Sequence, residues 1–364
     1  MNIFVMNTNF ETIDIIDAYE SAIWTDRYNS YGDFEIYAPF SLELLQKVRQ
    51  DYYLTILDSE HVMIIEGIEI SSDTETGNRL RITGRSLESI IDRRIIWEQA
   101  SFTGSLQDAI QSMLNSAIIN PSIADRQIPN FIFEASDDPR ITALTIEEEH
   151  TGDNLYDVIS ELCERNYIGY KITLNSSNQF VFKLYMGEDR SYDQLANPYV
   201  VFSPNYENII NSNYVDSTEI MKNITLVAGE DSGQARRTIT VGSGTGLTRR
   251  ELYTDARDIQ SEKVSNYDEA LRQRGLQNLI DNSRTVSFEG EVDAVRMFVY
   301  GEDFFMGDII QISNEYGIEG AARVMEFIKS DDANGSKQYP TFEAIQDIDS
   351  SMDDLTPEDP ETQE

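Results

Sequence analysis

Residues 19–36, Y-E-S-A-I-W-T-D-R-Y-N-S-Y-G-D-F-E-I, constrain the fold more than any other stretch of the chain. Apolar and aromatic residues run into Trp24, a polar turn follows, and Phe34 and Ile36 alternate with polar neighbours on the return. Alternation on both sides of a turn is the pattern of two paired strands. Gly32 stands at the bend, where a residue without a side chain turns most easily. The segment carries no group suited to chemistry. It is built to pair, pack and present a surface.

The same pattern recurs on either side of a helix-rich middle, and the expected fold class is α+β, mainly β. Residues 1–98 read as strands with two short helices. Ser41 caps the first, which carries Leu42, Leu45 and Val48; Ser86 caps the second, with Leu87, Ile90, Ile91 and Ile95 at helical spacing. Residues 99–200 read as an inserted α+β domain. Ser105 and Asp108 start a helix whose apolar face holds Leu106, Ile110, Met113, Leu114, Ala117 and Ile118. A second helix follows Asp153, with Leu155, Val158, Ile159, Leu162 and Cys163 on one stripe, and strands at 169–174 and 180–185 come next. Residues 201–345 read as a second β-rich domain, with strands at 199–202, 207–214, 223–228, 237–241, 284–288, 295–300, 309–312 and 322–328 and a helix near 265–282. The two strand-rich units share a rough plan and read as related β-barrels. The end, 346–364, is acidic with two prolines and reads as a disordered tail.

Charge narrows the function. The chain has 364 residues, with 65 Asp and Glu against 28 Lys and Arg, a formal net charge of −37. A duplex-binding protein needs a basic footprint on the phosphates, so this balance argues against one, and equally against an anionic membrane. It suits a surface past which DNA slides without adhering. The single cysteine, Cys163, permits no intrachain disulfide and points to folding in a reducing cytosol. The first ten residues are too polar for a signal peptide, and no window approaches the ~20 apolar residues of a membrane span. A role outside the cell would therefore require lysis or assembly into a particle.

Few residues are candidates for chemistry. E-E-E-H at 147–150 groups three carboxylates with His150 and is the candidate cation site; the competing reading is favourable negative charge near a helix start. Cys163 with His150 is a candidate thiol nucleophile, but Cys163 continues an apolar stripe and reads as core. The other histidine, His61, belongs to no motif. G-S-G-T-G at 242–246 and G-E-D-S-G-Q at 229–234 lie between strands and read as hairpin tips, not phosphate loops. D-D-A-N-G at 331–335 lacks calcium-loop spacing and reads as a turn. Two arginine pairs, Arg93-Arg94 and Arg249-Arg250, are candidates for bidentate bonds to carboxylates, within a subunit or between subunits. Trp24 and Trp97 both lie beside apolar residues and read as core. The expectation is no catalytic residue, no metal and no cofactor. The alternatives are a cell-wall or glycan hydrolase working through an Asp/Glu pair, and a carbohydrate-binding module.

Four segments together resemble the gene-product-37-like proteins of long-tailed phages: 19–36, G-R-S-L-E-S-I-I-D-R-R-I-I at 84–96, N-L-Y-D-V-I-S-E-L-C at 154–163, and L-T-R-R-E-L-Y-T-D-A-R-D at 247–258. G-D-I-I-Q-I at 307–312 with R-V-M-E-F at 323–327 adds a weaker match. The resemblance implies a structural hub of a siphovirus tail tip or baseplate, similar to the trimeric contractile-tail hub and to the N-terminal part of tail-associated proteins. It implies two related, tail-tube-like β-barrels per subunit and a homotrimer presenting six barrels. Such a ring adapts a sixfold tail tube or distal tail protein to a threefold tip. The implied partners are those proteins, the tape measure protein, and a fibre, spike or receptor-binding assembly. DNA passes through the channel without specific binding, and the location is the distal end of the virion tail after assembly in the host cytoplasm. The family brings no catalytic motif. Some related hubs carry a C-terminal peptidase or lysin extension, for which this sequence leaves no room.

Overall fold

Alternating apolar residues in the first third of the chain produce seven strands. In the computed structural model, which describes residues 1–73, 77–230, 236–262, 264, 266–292, 297–313 and 319–345, they are β1 (Ile3–Met6), β2 (Thr12–Ile16), β3 (Ser21–Arg27), β4 (Asp33–Pro39), β5 (Tyr53–Ile56), β6 (Met63–Asp73) and β7 (Gly77–Ser86). They pair antiparallel in the order β3-β4-β7-β6-β5-β1-β2. Ile3 and Val5 of β1, Leu54 of β5, and Trp24, Phe34 and Ile36 of the opening hairpin share one core. The sheet therefore curls until its two ends pack on each other. Ser41 Oγ accepts from the Leu44 amide at 3.0 Å and caps α1 (Leu42–Lys47), as the sequence suggests.

Trp24 pairs with Phe34 across the hairpin, and Gly32 sits at its base. Gly32 does not adopt a positive φ, so its conformational freedom is not the reason for a glycine there. The reason is close approach: a Cβ would lie 2.1 Å from the Thr25 carbonyl oxygen. Gly32→Ala is expected to cost about 1–3 kcal/mol by forcing the strands apart. A urea melt reads this directly, and an unchanged midpoint would contradict it.

Ser86 departs from expectation. The segment after β7 is a 3-10 helix, Leu87–Arg93, and Ser86 makes no side-chain cap to it. Its hydroxyl accepts instead from the Gly32 amide at 2.7 Å, which pins the hairpin turn to β7. Ile95 lies beyond this helix, bridged to Asn154.

The middle of the chain forms a separate layer. A ribbon of β8 (Ala100–Ser105) and β10 (Thr145–His150) accompanies a mixed sheet of β9 (Phe131–Glu134), β11 (Gly169–Leu174) and β12 (Phe180–Tyr185). The helices are α2 (Leu106–Leu114), α3 (Pro139–Thr142) and α4 (Leu155–Arg165). Ser105 caps α2 by accepting from the Asp108 amide, and every residue of the two apolar stripes read from the sequence is buried. These stripes pack on Met6, Val62, Ile64, Leu87, Ile90 and Ile91, so the insert shares a core with the first module.

The chain then re-enters the large sheet. The remaining elements are β13 (Asp189–Arg190), β14 (Val201–Phe202), β15 (Ile209–Ser217), β16 (Ile224–Ala228), β17 (Thr238–Gly242), β18 (Glu251–Asp255), α5 (Tyr267–Asp281), β19 (Thr285–Val292), β20 (Ile309–Ser313), β21 (Glu319–Asp332) and β22 (Gly335–Ala344). Strands β15, β19, β22, β21 and β20, with β13 and β14 parallel to β20, form the second module around Phe202, Phe304, Ile310, Val324 and Phe327. Strands β16–β18 and α5 form a second, smaller α+β insert with its own core of Val227, Val241, Leu271 and Leu279. Asn266 caps α5 by accepting from the Glu269 amide. The strand expected at 295–300 is not present over 297–300, and 293–296 lie outside the described residues, as does the tail at 346–364.

One strand joins the two modules. The first half of β21 pairs with β20 and its second half with β3, while β22 runs along its other edge. The change of partner coincides with a bulge at Met325, the device by which a strand bends out of one sheet. The result is a mainly β fold in which one strand path runs from β15 to β2. Among the described residues this path stays open, and neither module closes into a barrel.

Candidate functional site

The turn of the opening hairpin lies where the two modules and the first insert meet. Tyr28 is buried; its amide donates to the bulge carbonyl of Met325 and its hydroxyl donates to the Tyr167 carbonyl, both at 3.0 Å. Its ring fills space that a Cβ on Gly169 of the insert or on Gly307 of the second module would occupy. The Arg323 guanidinium lies 5.6 Å from the ring centre. Tyr31 packs on Tyr156 of α4 at 4.7 Å, and the Arg85 guanidinium lies over the Tyr31 ring at 4.8 Å. Arg85 forms a bidentate pair with Glu66 at 2.7 and 2.9 Å and a further bond to Asp92 at 2.7 Å. A turn that reads as polar in sequence is thus the joint of the molecule.

A buried polar seam runs beside it. Trp24 Nε1 donates to Asp26 at 3.0 Å, the Ser59 hydroxyl donates to the same carboxylate at 2.9 Å, and Lys329 of β21 donates to the Asp58 carbonyl. His61 Nδ1 lies 3.2 Å from Glu88 Oε1, which also accepts from the Ile172 amide of the insert at 2.8 Å. Burial opposes charge on His61, but Glu88, Asp26 and Glu60 outweigh it and raise the imidazole to about 9. Burial raises Glu88, and the charge and hydrogen bond of His61 more than reverse this, holding it below the usual range. Burial draws Lys329 down against the pull of Asp26 and Asp58. These groups face one another across packed backbone, so the seam is an internal fastening and not an open site.

The E-E-E-H candidate is also tied up internally. Alternation along β10 divides the four residues between two faces. His150 lies 3.0 Å from Glu148 and 3.2 Å from Asp153, and Arg165 of α4 holds the other Glu148 oxygen. Glu147 accepts from the Asn266 amide at 3.2 Å and so links the two inserts. Among the described residues, no three His, Cys, Asp or Glu side chains converge as metal ligands do. Cys163 lies in the core of the insert, and burial alone pushes its thiol well above the ordinary value. It is expected to resist maleimide labelling in the folded protein and to react after denaturation; rapid native labelling would contradict its placement.

Among the described residues of one chain, the arginine pairs form no bidentate carboxylate bonds. Arg93 lies 3.5 Å from Asp51, and Arg249 bonds Glu251 at 2.6 Å, each through a single nitrogen. Arg94 donates to the backbone carbonyls of Arg126 and Arg93, and Arg250 to Thr218. The 242–246 loop is a crossover, not a hairpin tip, because β17 and β18 lie on opposite sides of β16. Residues 331–335 form the β21–β22 turn, and of 229–234 only the first two are described. Trp24 is core, but Trp97 is 57% exposed beneath the Arg126 guanidinium. A shallow open groove along α2 is lined by Asp108, Gln111, Ser112, Asn115 and Phe133 and holds no imidazole or thiol.

The arrangement supports packing and docking, and the fold is shared with several solved structures. A tail protein from Neisseria meningitidis MC58 shares the fold with a TM-score of 0.61 at 13% identity, over 97% of this chain and 98% of the other. The 43 kDa tail protein of prophage MuSo2 from Shewanella oneidensis matches with 0.59 at 10% identity, over 94% and 98%. Prophage tail protein gp18 from Listeria monocytogenes EGD-e matches with 0.56 at 13% identity, over 97% and 98%. No curated protein matches the sequence. The profile of the Siphovirus ReqiPepy6 Gp37-like proteins matches residues 2–342, nearly the whole chain, with the strand-built modules and both inserts inside the match. The chain therefore belongs to the Siphovirus ReqiPepy6 Gp37-like family, and its fold is that of phage tail proteins.

Proposed function

We propose that this protein is a structural hub of the phage tail tip or baseplate and acts by shape. Three copies form a ring in which each contributes two strand-built modules. Six modules then face a sixfold tube or distal tail protein, while the tip side keeps threefold symmetry for a fibre, spike or receptor-binding assembly. The observation that carries this reading is the pair of modules fused through β21 into one sheet path. A rigid joint of this kind fixes the angle between the modules, which a ring of set diameter requires. In this reading the two α+β inserts decorate the ring, and barrel-like curvature belongs to each module within the assembly. The net charge of −37 suits a channel through which DNA and the tape measure protein leave without adhering.

The ring is tested by mass photometry of the purified full-length protein. The expected result is a trimer, since stable homo-oligomers of this kind bury more than ~2,000 Å² at each interface. A monomer at every soluble concentration would contradict it. The same preparation is expected to release no soluble fragments from purified cell walls.

A further inference from the structure

The second insert differs in charge from the rest of the molecule. Residues 224–281 hold 8 Lys and Arg against 9 Asp and Glu, a net −1, so the other 306 residues carry −36. Most of these arginines are neutralised inside the insert, as in Arg236–Asp255, Arg237–Asp268 and Arg274–Asp258. At one end the pattern changes: Arg249 still pairs with Glu251 at 2.6 Å, but Arg250 bonds the carbonyl and hydroxyl of Thr218 and makes no ion pair with a described carboxylate.

Two apolar side chains project from the same end. Leu247 is fully exposed, at 103%, and Ile220 is 54% exposed. Leu247 rides on the crossover loop, where Gly242, Gly244 and Gly246 take positive φ values of 91°, 151° and 54°. The loop is not loose. The side chain of Asn223 donates to the Thr248 carbonyl and accepts from the Arg250 amide, both at 2.8 Å, and its carbonyl accepts from the Ser243 amide at 3.1 Å. A clamped backbone that holds a leucine in solvent has already lost the freedom that docking would otherwise cost.

We propose that this tip, Leu247 and Ile220 flanked by Arg249 and Arg250, is a contact onto a second copy of the same chain. Charge complementarity selects that occupant. Copies that each carry −37 repel wherever acidic surfaces meet, and this end presents apolar area and the Arg250 guanidinium to the strongly acidic remainder of a neighbour. The inference rests on the self-assembly proposed above and adds where the copies touch.

The test measures self-association of the full chain by sedimentation velocity. Leu247→Asp and the double variant Arg249→Glu with Arg250→Glu are compared with Leu195→Asp, at a leucine 92% exposed elsewhere. Self-association is expected to weaken at least tenfold, about 1.4 kcal/mol or more, in the two tip variants and to stay unchanged in the control. A photocrosslinker carried on Leu247→Cys, with Cys163 shielded by burial, is expected to capture a second copy at an acidic segment. Tip variants that assemble like wild type, or crosslinks only within one copy, would remove this contact and leave the hub reading intact. A wild-type chain that stays monomeric and gives no crosslink between copies would remove both. Tip-dependent binding to anionic vesicles with no effect on self-association would assign the tip to a membrane and overturn the proposal.

Discussion

Glu88→Ala is expected to cost about 3–5 kcal/mol, because it leaves the His61 imidazole buried without its counter-charge. Both side chains are sealed, Glu88 at 1% and His61 at 5% exposure, and Glu88 also holds the Ile172 amide of the insert. The loss is therefore expected to reach beyond the first module, and hydrogen exchange should quicken in β11. The pair also sets a pH signature. His61 is raised from 6.5 to about 9, so its contribution is fully present below pH 6.5 and fades as pH rises through 9. Glu88 is held below 4.5, so its contribution is present above pH 4.5 and fades as pH falls through its lowered value. Wild type should be most stabilised by the pair between these limits. In Glu88→Ala the decline of stability toward pH 9 should flatten. Urea melts across pH read both effects, and a variant with the wild-type alkaline slope would contradict the assignment.

Tyr28→Ala is expected to produce a loss of similar size, about 3–5 kcal/mol, and for a different reason. The ring fills the joint among the hairpin, the insert and the second module, and its removal leaves a cavity that three packed segments cannot close together. Tyr28→Phe keeps the ring and gives up only the bond to the Tyr167 carbonyl, so it should cost about 1 kcal/mol. If the joint fixes the angle between modules, Tyr28→Ala should also reduce trimer formation under conditions where the monomer remains folded. A fully assembled Tyr28→Ala protein would show that the angle is set elsewhere.

The hairpin at 19–36, the cap at Ser41 and the apolar stripes of α2 and α4 are legible in sequence because each is a local pattern. Alternation, a hydroxyl before a helix and a three-to-four spacing need no knowledge of the rest of the chain. What decides the joint is not local. Tyr28 sits among polar residues in a turn, and it is enclosed only by distant segments, Tyr167 and Gly169 of the insert, Gly307, and the return of β21 some three hundred residues later. Strand β22 has no clean alternation and contains Pro340, yet it pairs along most of β21. The second insert is hidden for a similar reason. Its strands resemble those of the module around it, and only their pairing order places them in a sheet of their own. Ser86 shows the reverse error, a plausible cap residue whose hydroxyl is taken by the backbone of another strand. His61 gives no signal at all in the sequence, since its partner Glu88 lies in a different element and belongs to no motif. The exposure of Trp97 is invisible because its apolar neighbours in sequence do not bury it in space.

Cryo-electron microscopy of the purified full-length protein tests the central claim most directly. The account predicts a closed threefold ring in which both modules of every copy, joined through β21 and β3, lie around the common axis in six similar positions. A particle that places only one module of each copy around the axis would contradict it, as would images of separate single chains.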